Sequence, residues 1–207
     1  MSKNLIITFE GIEGSGKSFH IKSISSYLKR KKLKYIVLRE PGGSINSEKI
    51  RKLILNKNND FNSYTDLLLY LAARSENIEK IIKKNYKKKI ILIDRFVDST
   101  MAYQGFGMNI DKSLITSINK LLLRNISIDF TFLNIVNSNN LISRLSKRKK
   151  LNRYDKFKTS FYTKVQKGFI KLSKKNKNKY LIVDSNKAIS HNKKIILNKI
   201  NKLLKIK

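Results

Sequence analysis

The sequence predicts an α/β fold, a parallel sheet of about five strands covered by helices on both faces. Three observations point to it: short runs apolar on both faces recur along the chain, stretches with helical spacing separate them, and a glycine-rich loop joins the first run to the first helical stretch. The strand runs are residues 5–9, 35–38, 90–93, 130–135 and 180–183. Helical spacing appears at Ile21, Ile24 and Leu28, then at Tyr64, Leu71, Ile78 and Ile82, and again at Leu114, Ile118 and Leu122. It returns at Phe157, Phe161, Val165 and Phe169, and at Ile195, Ile196, Ile200, Leu203 and Leu204. That last, lysine-rich stretch is expected to close the domain by packing on the sheet, with a membrane-surface role as the alternative. At 207 residues and 41% apolar content, with no repeat and no linker, one domain over 1–207 is expected.

Composition removes several classes of function. Without cysteine there is neither a disulfide framework nor a thiolate metal site, which fits a reducing compartment. No apolar run approaches the ~18 residues of a membrane span, and the first strand is too short for a signal sequence, so a soluble cytoplasmic protein is expected. The formal charge of +32, from 46 basic and 14 acidic residues, would ordinarily suggest nucleic acid or an anionic membrane. The lysines are dispersed, however, and asparagine and isoleucine are also common, as A/T-rich codons would produce. No basic stripe interleaves with aromatics, so no specific nucleic-acid partner is expected.

The loop is GIEGSGKS, from Gly11 to Ser18, and it matches G-x-x-x-x-G-K-[ST] in the required place between a strand and a helix. Gly11, Gly14 and Gly16, with Ser15 between them, let the backbone turn several N–H groups inward, and the helix N-terminus adds partial positive charge. Lys17 is placed to reach the β and γ phosphates of ATP, and the Ser18 hydroxyl to sit on Mg²⁺. A glycine-rich turn that binds nothing is the bland alternative. The loop indicates a P-loop NTPase-type fold and a nucleotide phosphate without naming a reaction.

Other stretches open at the same carboxyl edge of the sheet, where ligands bind in open parallel sheets. Residues 39–44, REPGGS, follow the second strand, and Asp94-Arg95 ends the third. Asp94 is a candidate to hold a metal-bound water, and Arg95 to fork onto a phosphate; a surface ion pair is the plainer reading of the dipeptide. Residues 96–105 are rich in hydrogen-bonding groups, as a nucleoside pocket requires. Tyr70 and Arg74, four apart on one helix face, form an aromatic plate beside a guanidinium, although such a pair is commonly only helix surface or core edge. Residues 143–158 hold the densest basic cluster, which reads as a mobile lid or as a solvated face. His20 is expected on the helix surface.

Together, FEGIEGSGKS, LREPGGS, EKIR, LLLYLAAR, IDRFVDSTMAYQG and RLSKRKKLNRYD resemble the thymidylate kinase family, over nearly the whole chain. The resemblance implies a nucleoside monophosphate kinase-like fold with a lid, Mg²⁺-dependent transfer of the ATP γ-phosphoryl group to dTMP, and a homodimer. It further implies that Glu13 approaches the acceptor sugar or the metal shell, and that Arg39, Arg51 and Arg95 lie near the acceptor phosphate. Pro41 is implied to shape that pocket through a cis bond, Tyr70 to stack on thymine and Arg74 to hydrogen-bond it. Thr100, Tyr103 and Gln104 would line base and sugar. Some members carry an arginine within the phosphate loop; this chain lacks it and is similar instead to the bacterial class, whose lid supplies the cation. Arg148 and Arg153 match that role, with Arg144 entering the segment. Asn152 stands where an acidic residue usually precedes the second lid arginine, which puts the lid's own salt bridges in question. The competing readings are a kinase for another nucleotide or a deoxynucleoside, a basic nucleic-acid-binding NTPase, and a catalytically weakened relative.

Overall fold

The structure is a computed structural model that describes residues 4–147 and 152–206. One parallel sheet contains β1 (Ile6–Glu10), β2 (Tyr35–Arg39), β3 (Ile90–Asp94), β4 (Phe130–Ile135) and β5 (Tyr180–Asp184), side by side in the order β2-β3-β1-β4-β5. Each strand lies within one residue of its run in the sequence. Parallel neighbours need crossover connections. These are supplied by α1 (Lys17–Arg30), α2 (Ile45–Leu55), α3 (Ser63–Asn77), α4 (Lys83–Asn85), α5 (Val97–Thr100), α6 (Lys112–Leu123), α7 (Ser138–Ser146) and α8 (Thr159–Lys175), and the chain closes on α9 (Ile189–Leu204). Wider π-type turns at Ile78–Ile82 and Met101–Gly107 join α3 to α4 and prolong α5.

Strand alternation divides the core. On β1, Ile7 and Phe9 face a layer built with Ile21, Ile24 and Leu28 of α1 and Ile196, Ile200 and Leu204 of α9. Ile6 faces the other way, into a layer with Ile91, Ile93, Phe96, Ile78 and Ile82. The terminal helix thus packs on the sheet and on α1, where the Tyr27 hydroxyl donates to Asn201 Oδ1 at 2.6 Å. No helix among the described residues is long and apolar enough to cross a membrane.

Some expected faces are shifted. On α6 the buried line runs through Ile115 and Asn119, while Leu114 is 38% exposed. Tyr64 is exposed, so the buried face of α3 begins at Asp66 and Leu67. The two outer strands leave Val37 and Ile182 about half open, because an edge strand has fewer covering neighbours than a central one. His20 is buried rather than on the surface, with its ring edge against Phe19.

The register sets the site. Phe9 pairs with Asp94 and with Phe132, and Arg39 pairs with Asp94, so β2, β3 and β1 end level and their following loops open together. Because Ile200 is buried in the layer that couples α9 to the sheet, Ile200→Ala is expected to cost about 2–5 kcal/mol, read as a lower urea midpoint with unchanged m value.

Candidate active site

The loop after β1 is shaped by one steric constraint. Gly11 has φ 132°, and a Cβ there would lie 2.2 Å from the Asn134 carbonyl oxygen, so only glycine fits. Space opens in front of α1: a Cβ on Gly16, the residue capping that helix, would meet nothing within 4 Å. A phosphate fits such a space because the free N–H groups of the first helical turn face it. Lys17 is buried behind it, its ammonium donating to the carbonyls of Gly11 and Ile12 at 2.9 Å each. Burial, then the Arg95 charge, bring its pKa down to about 8. Ser15 is wholly buried, donating to Ile12 and held through its own carbonyl by the Ser185 hydroxyl. Arg144 of α7 ties the loop to the end of β5, donating to the carbonyls of Gly14 at 2.8 Å and Ser185 at 2.7 Å.

The third strand ends in a corner held from β1. Arg95 adopts φ 66°, a left-handed conformation that costs an L-residue with a Cβ roughly 1–2 kcal/mol. Its N–H donates to the Phe9 carbonyl at 3.0 Å, and the next N–H, of Phe96, donates to Glu10 Oε1 at 2.8 Å. Glu10 Oε2 accepts from the Ser99 hydroxyl. Burial, then the Asp98 carboxylate, push the pKa of Glu10 up to about 7, against the Ser99, Arg95 and Phe96 contacts that lower it. So anchored, the Arg95 guanidinium donates to Gly11 O at 2.8 Å and to Glu13 Oε1 at 2.9 Å, and Glu13 Oε2 accepts from the Tyr103 hydroxyl. Burial opposes the Glu13 charge, but Arg95 and Lys17 hold its carboxyl below the usual range.

Ser18 Oγ lies 2.9 Å from Asp94 Oδ2 at the edge of the same cavity. A hydroxyl and one carboxylate, completed by phosphate oxygens and water, suit Mg²⁺, which is seldom held by protein ligands alone. Accordingly, no group of three or more His, Cys, Asp or Glu placed to hold a metal occurs among the described residues.

The cavity encloses about 290 Å³ between the phosphate loop and the loop after β2. The Glu40–Pro41 peptide bond is cis, as the resemblance implied. Arg51 donates to the Pro41 carbonyl, and Arg39 pairs with Glu48 at 3.0 Å; both arginines line the cavity. Deeper in, Tyr70, Ser99, Tyr103 and Gln104 wall a smaller recess that shares Glu13 and Arg95 with the main cavity.

Two arginines are placed differently from expectation. Arg74 does not line the cavity: its guanidinium is 1% exposed and donates to Glu40 at 2.8 Å, Asn119 at 2.7 Å and the Phe96 carbonyl at 2.9 Å. In this arrangement it braces the walls through those three partners. Arg153 is also buried, donating to the Ile54 carbonyl and paired with Asp66 of α3. Arg148 lies outside the described residues. Asn152 supplies local order in place of the acidic residue: it caps the turn Arg153–Lys156, and Asp155 returns a contact to its N–H. Thr100 is buried with its hydroxyl unpartnered. Residues with a part here that motif reading passed over are Glu10, Glu40 and Asp66, whereas Arg144, expected to enter the basic segment, is found tying that segment to the phosphate loop. A signal existed for Glu10 alone, as the charged last residue of an otherwise apolar central strand.

A family model described as Thymidylate kinase matches residues 9–196. Over 204 residues the chain is 38% identical to the thymidylate kinase of Mycoplasma capricolum, covering 95% of this chain and 96% of that protein. It is 40% identical over 188 residues to that of Thermosipho africanus, covering 90% and 92%. Among solved structures, it is similar to the crystal structure of thymidylate kinase from Ehrlichia chaffeensis, with TM-score 0.77, 32% identity, and coverage of 95% of this chain and 98% of that one.

The raised pKa of Glu10 has a consequence for stability. From the carboxylate value of 4.5 to about 7, the folded state holds a proton that the unfolded state has released. Its stabilising contribution is therefore complete below about pH 4.5 and lost as pH rises through about 7, a change on the order of 3 kcal/mol. Glu10→Gln should remove this share of the pH dependence, measured as urea unfolding free energies at about pH 5 and about pH 8. An unchanged slope would contradict the environment assigned to Glu10.

Proposed function

The chain belongs to the thymidylate kinase family, and on that premise we propose that it transfers the γ-phosphoryl group of ATP to dTMP, giving dTDP and ADP. The observation that carries the reading is the chain of contacts from the phosphate loop through Arg95 and Glu13 to Tyr103, which couples the cavity at the phosphate loop to the wall formed by Tyr70, Tyr103 and Gln104.

In the transfer, an oxygen of the dTMP phosphate forms a bond to the γ-phosphorus while the bond to the bridging β–γ oxygen breaks, and the electron pair leaves on ADP. The acceptor phosphate is already a nucleophile, so no strong base is needed and catalysis is positioning and charge neutralisation. The loop amides from Gly11 to Ser18 and the Lys17 ammonium receive the donor phosphates, exchanging the carbonyls that Lys17 holds. Ser18 and Asp94 would hold Mg²⁺, which would supply neutralisation of the phosphate charge. Arg95, leaving part of its contact with Glu13, bridges acceptor and transferred phosphates, and Arg39 and Arg51 hold the acceptor phosphate. Tyr70 stacks on the base, and Tyr103 with Glu13 lines the sugar. Arg148 and Arg153 are the lid's cations, and residues 143–158 close over the loop with them. Arg153 reaches the transferred group only by giving up Asp66, and breaking such a buried pair costs about 3–5 kcal/mol unless the ligand replaces it. Arg144, already bonded to Gly14, needs no such exchange.

We place the enzyme in the cytoplasm as a homodimer without a specific nucleic-acid partner. Exposed Tyr64 and Leu68 on α3, and Leu114 and Leu121 on α6, support a dimer surface there.

An ADP-release assay across dTMP, dUMP, dCMP, dGMP and dAMP is expected to give the fastest turnover on dTMP; faster turnover on any other acceptor would refute the substrate. Lys17→Ala and Arg95→Ala should each lower kcat by about 10²–10³-fold, as loss of a preorganised cation does.

A further inference from the structure

Behind the inner recess lies an arrangement that the reaction itself does not use. Asp66 of α3 is fully buried, one turn before Tyr70 and on the same helix face. Its Oδ2 accepts from Gln104 Nε2 at 2.7 Å and from the Tyr154 hydroxyl at 2.7 Å. Gln104 Nε2 also lies 3.3 Å from the Tyr154 oxygen. A phenol has one proton, and Tyr154 directs it at Asp66, so toward Gln104 it can only accept. Both neighbours of the amide are therefore acceptors, and its NH₂ must face them. A reversed amide would set a carbonyl oxygen against a carboxylate.

The other end of the amide has no partner. Gln104 Oε1 is buried and unsatisfied, and so is Thr100 Oγ1 one helical turn earlier. Buried polar atoms of this kind are rare and point to a missing ligand. Neither Asp66 nor Tyr154 lines the recess, whereas Gln104 does, beside Tyr70 and Tyr103. Gln104 thus brings one acceptor of fixed direction to the wall, while the Thr100 hydroxyl lies behind it, outside the residues that line the recess.

We propose that Asp66 sets which pyrimidine this site accepts, by fixing the Gln104 amide so that Oε1 faces the recess as a hydrogen-bond acceptor. The inference rests on the dTMP reading above and deepens it. Thymine and uracil present an N3–H donor at the centre of their pairing edge. Cytosine presents an N3 lone pair there, which would face Oε1 unpaired. Asp66 is a positioning residue: it acts through Gln104 and does not touch the base. Gln104 and Tyr154 hold its carboxylate from one side, and Arg153 holds it from the other until that arginine is drawn to the phosphates.

The test is kcat/KM for dTMP, dUMP and dCMP in the wild type, Asp66→Asn and Asp66→Glu. An asparagine can donate as well as accept, so Asp66→Asn lets the Gln104 amide turn. The dTMP-to-dCMP ratio should fall at least about 10-fold, while the dTMP-to-dUMP ratio, blind to the amide's direction, stays within about 3-fold. Asp66→Glu remains an acceptor and should keep both ratios even if slower. An unchanged dTMP-to-dCMP ratio in Asp66→Asn, or an equal fall in Asp66→Glu, overturns the proposal. Because Asp66→Asn strands the Arg153 charge, Asp66→Asn/Arg153→Gln is measured beside it, with only the ratios compared. Should neither variant fold, affinity for N3-methylated dTMP decides: at least about 30-fold weaker than dTMP in the wild type, shrinking to a few-fold in Gln104→Leu, with an equal gap in both refuting the fixed acceptor. A wild type that prefers a purine or dCMP would instead refute the substrate assignment, leaving the amide's direction to the N3-methyl comparison.

Discussion

The buried ammonium of Lys17 is the interaction on which the rest of the site depends. It sits under the N-terminus of α1 with two loop carbonyls as its acceptors and with Arg95 close enough to repel it. The carbonyls and the Asp94, Glu13 and Glu10 charges offset its desolvation only in part, and a polyphosphate completes the neutralisation. The glycine at position 11, the level ends of β1 and β3, and the left-handed Arg95 all serve to keep these two cations at one edge.

The acidic residues make that tolerable. The chain has 14, and seven of them, Glu10, Glu13, Glu40, Glu48, Asp66, Asp94 and Asp98, lie in or directly behind this site. In a molecule of charge +32, four of the seven each pair an arginine: Glu48 with Arg39, Glu40 with Arg74, Glu13 with Arg95 and Asp66 with Arg153. The buried pairs fix side chains in direction, since a guanidinium held on several sides cannot swing. Arg95 keeps partners that a phosphate can replace, whereas Arg74 is wholly taken up by the protein.

What was legible in the sequence follows from how local each feature is. The phosphate loop, the Asp94-Arg95 corner and the Pro41 turn are short strings marked by their own residue types, and each stands where its string placed it, although Asn134 beside Gly11 and Phe9 and Glu10 beside Arg95 complete their geometry. The strands were legible because central parallel strands are apolar on both faces. Helix faces were less so. Leu114 and Ile115 are both apolar, and only packing against the Met101–Gly107 turn and α3 decides that Ile115 is inside. The partners of Arg74 and Arg153 come from distant segments, Glu40 and Asp66, so two residues matched by motif proved to be braced inward. Asp66 itself has no motif; its part is visible only once α3, the π-type turn and the segment at Tyr154 are brought together.

Proton uptake on nucleotide binding tests the central claim most directly. With a Lys17 pKa of about 8 in the free protein, the amine is mostly neutral at about pH 8.5, and a bound polyphosphate restores its charge. Calorimetry of ATP binding in buffers of different ionisation enthalpy should therefore register uptake of roughly half a proton or more per site, absent in Lys17→Met. Binding without proton uptake in the wild type, or the same uptake in Lys17→Met, would contradict a desolvated lysine waiting on its phosphate.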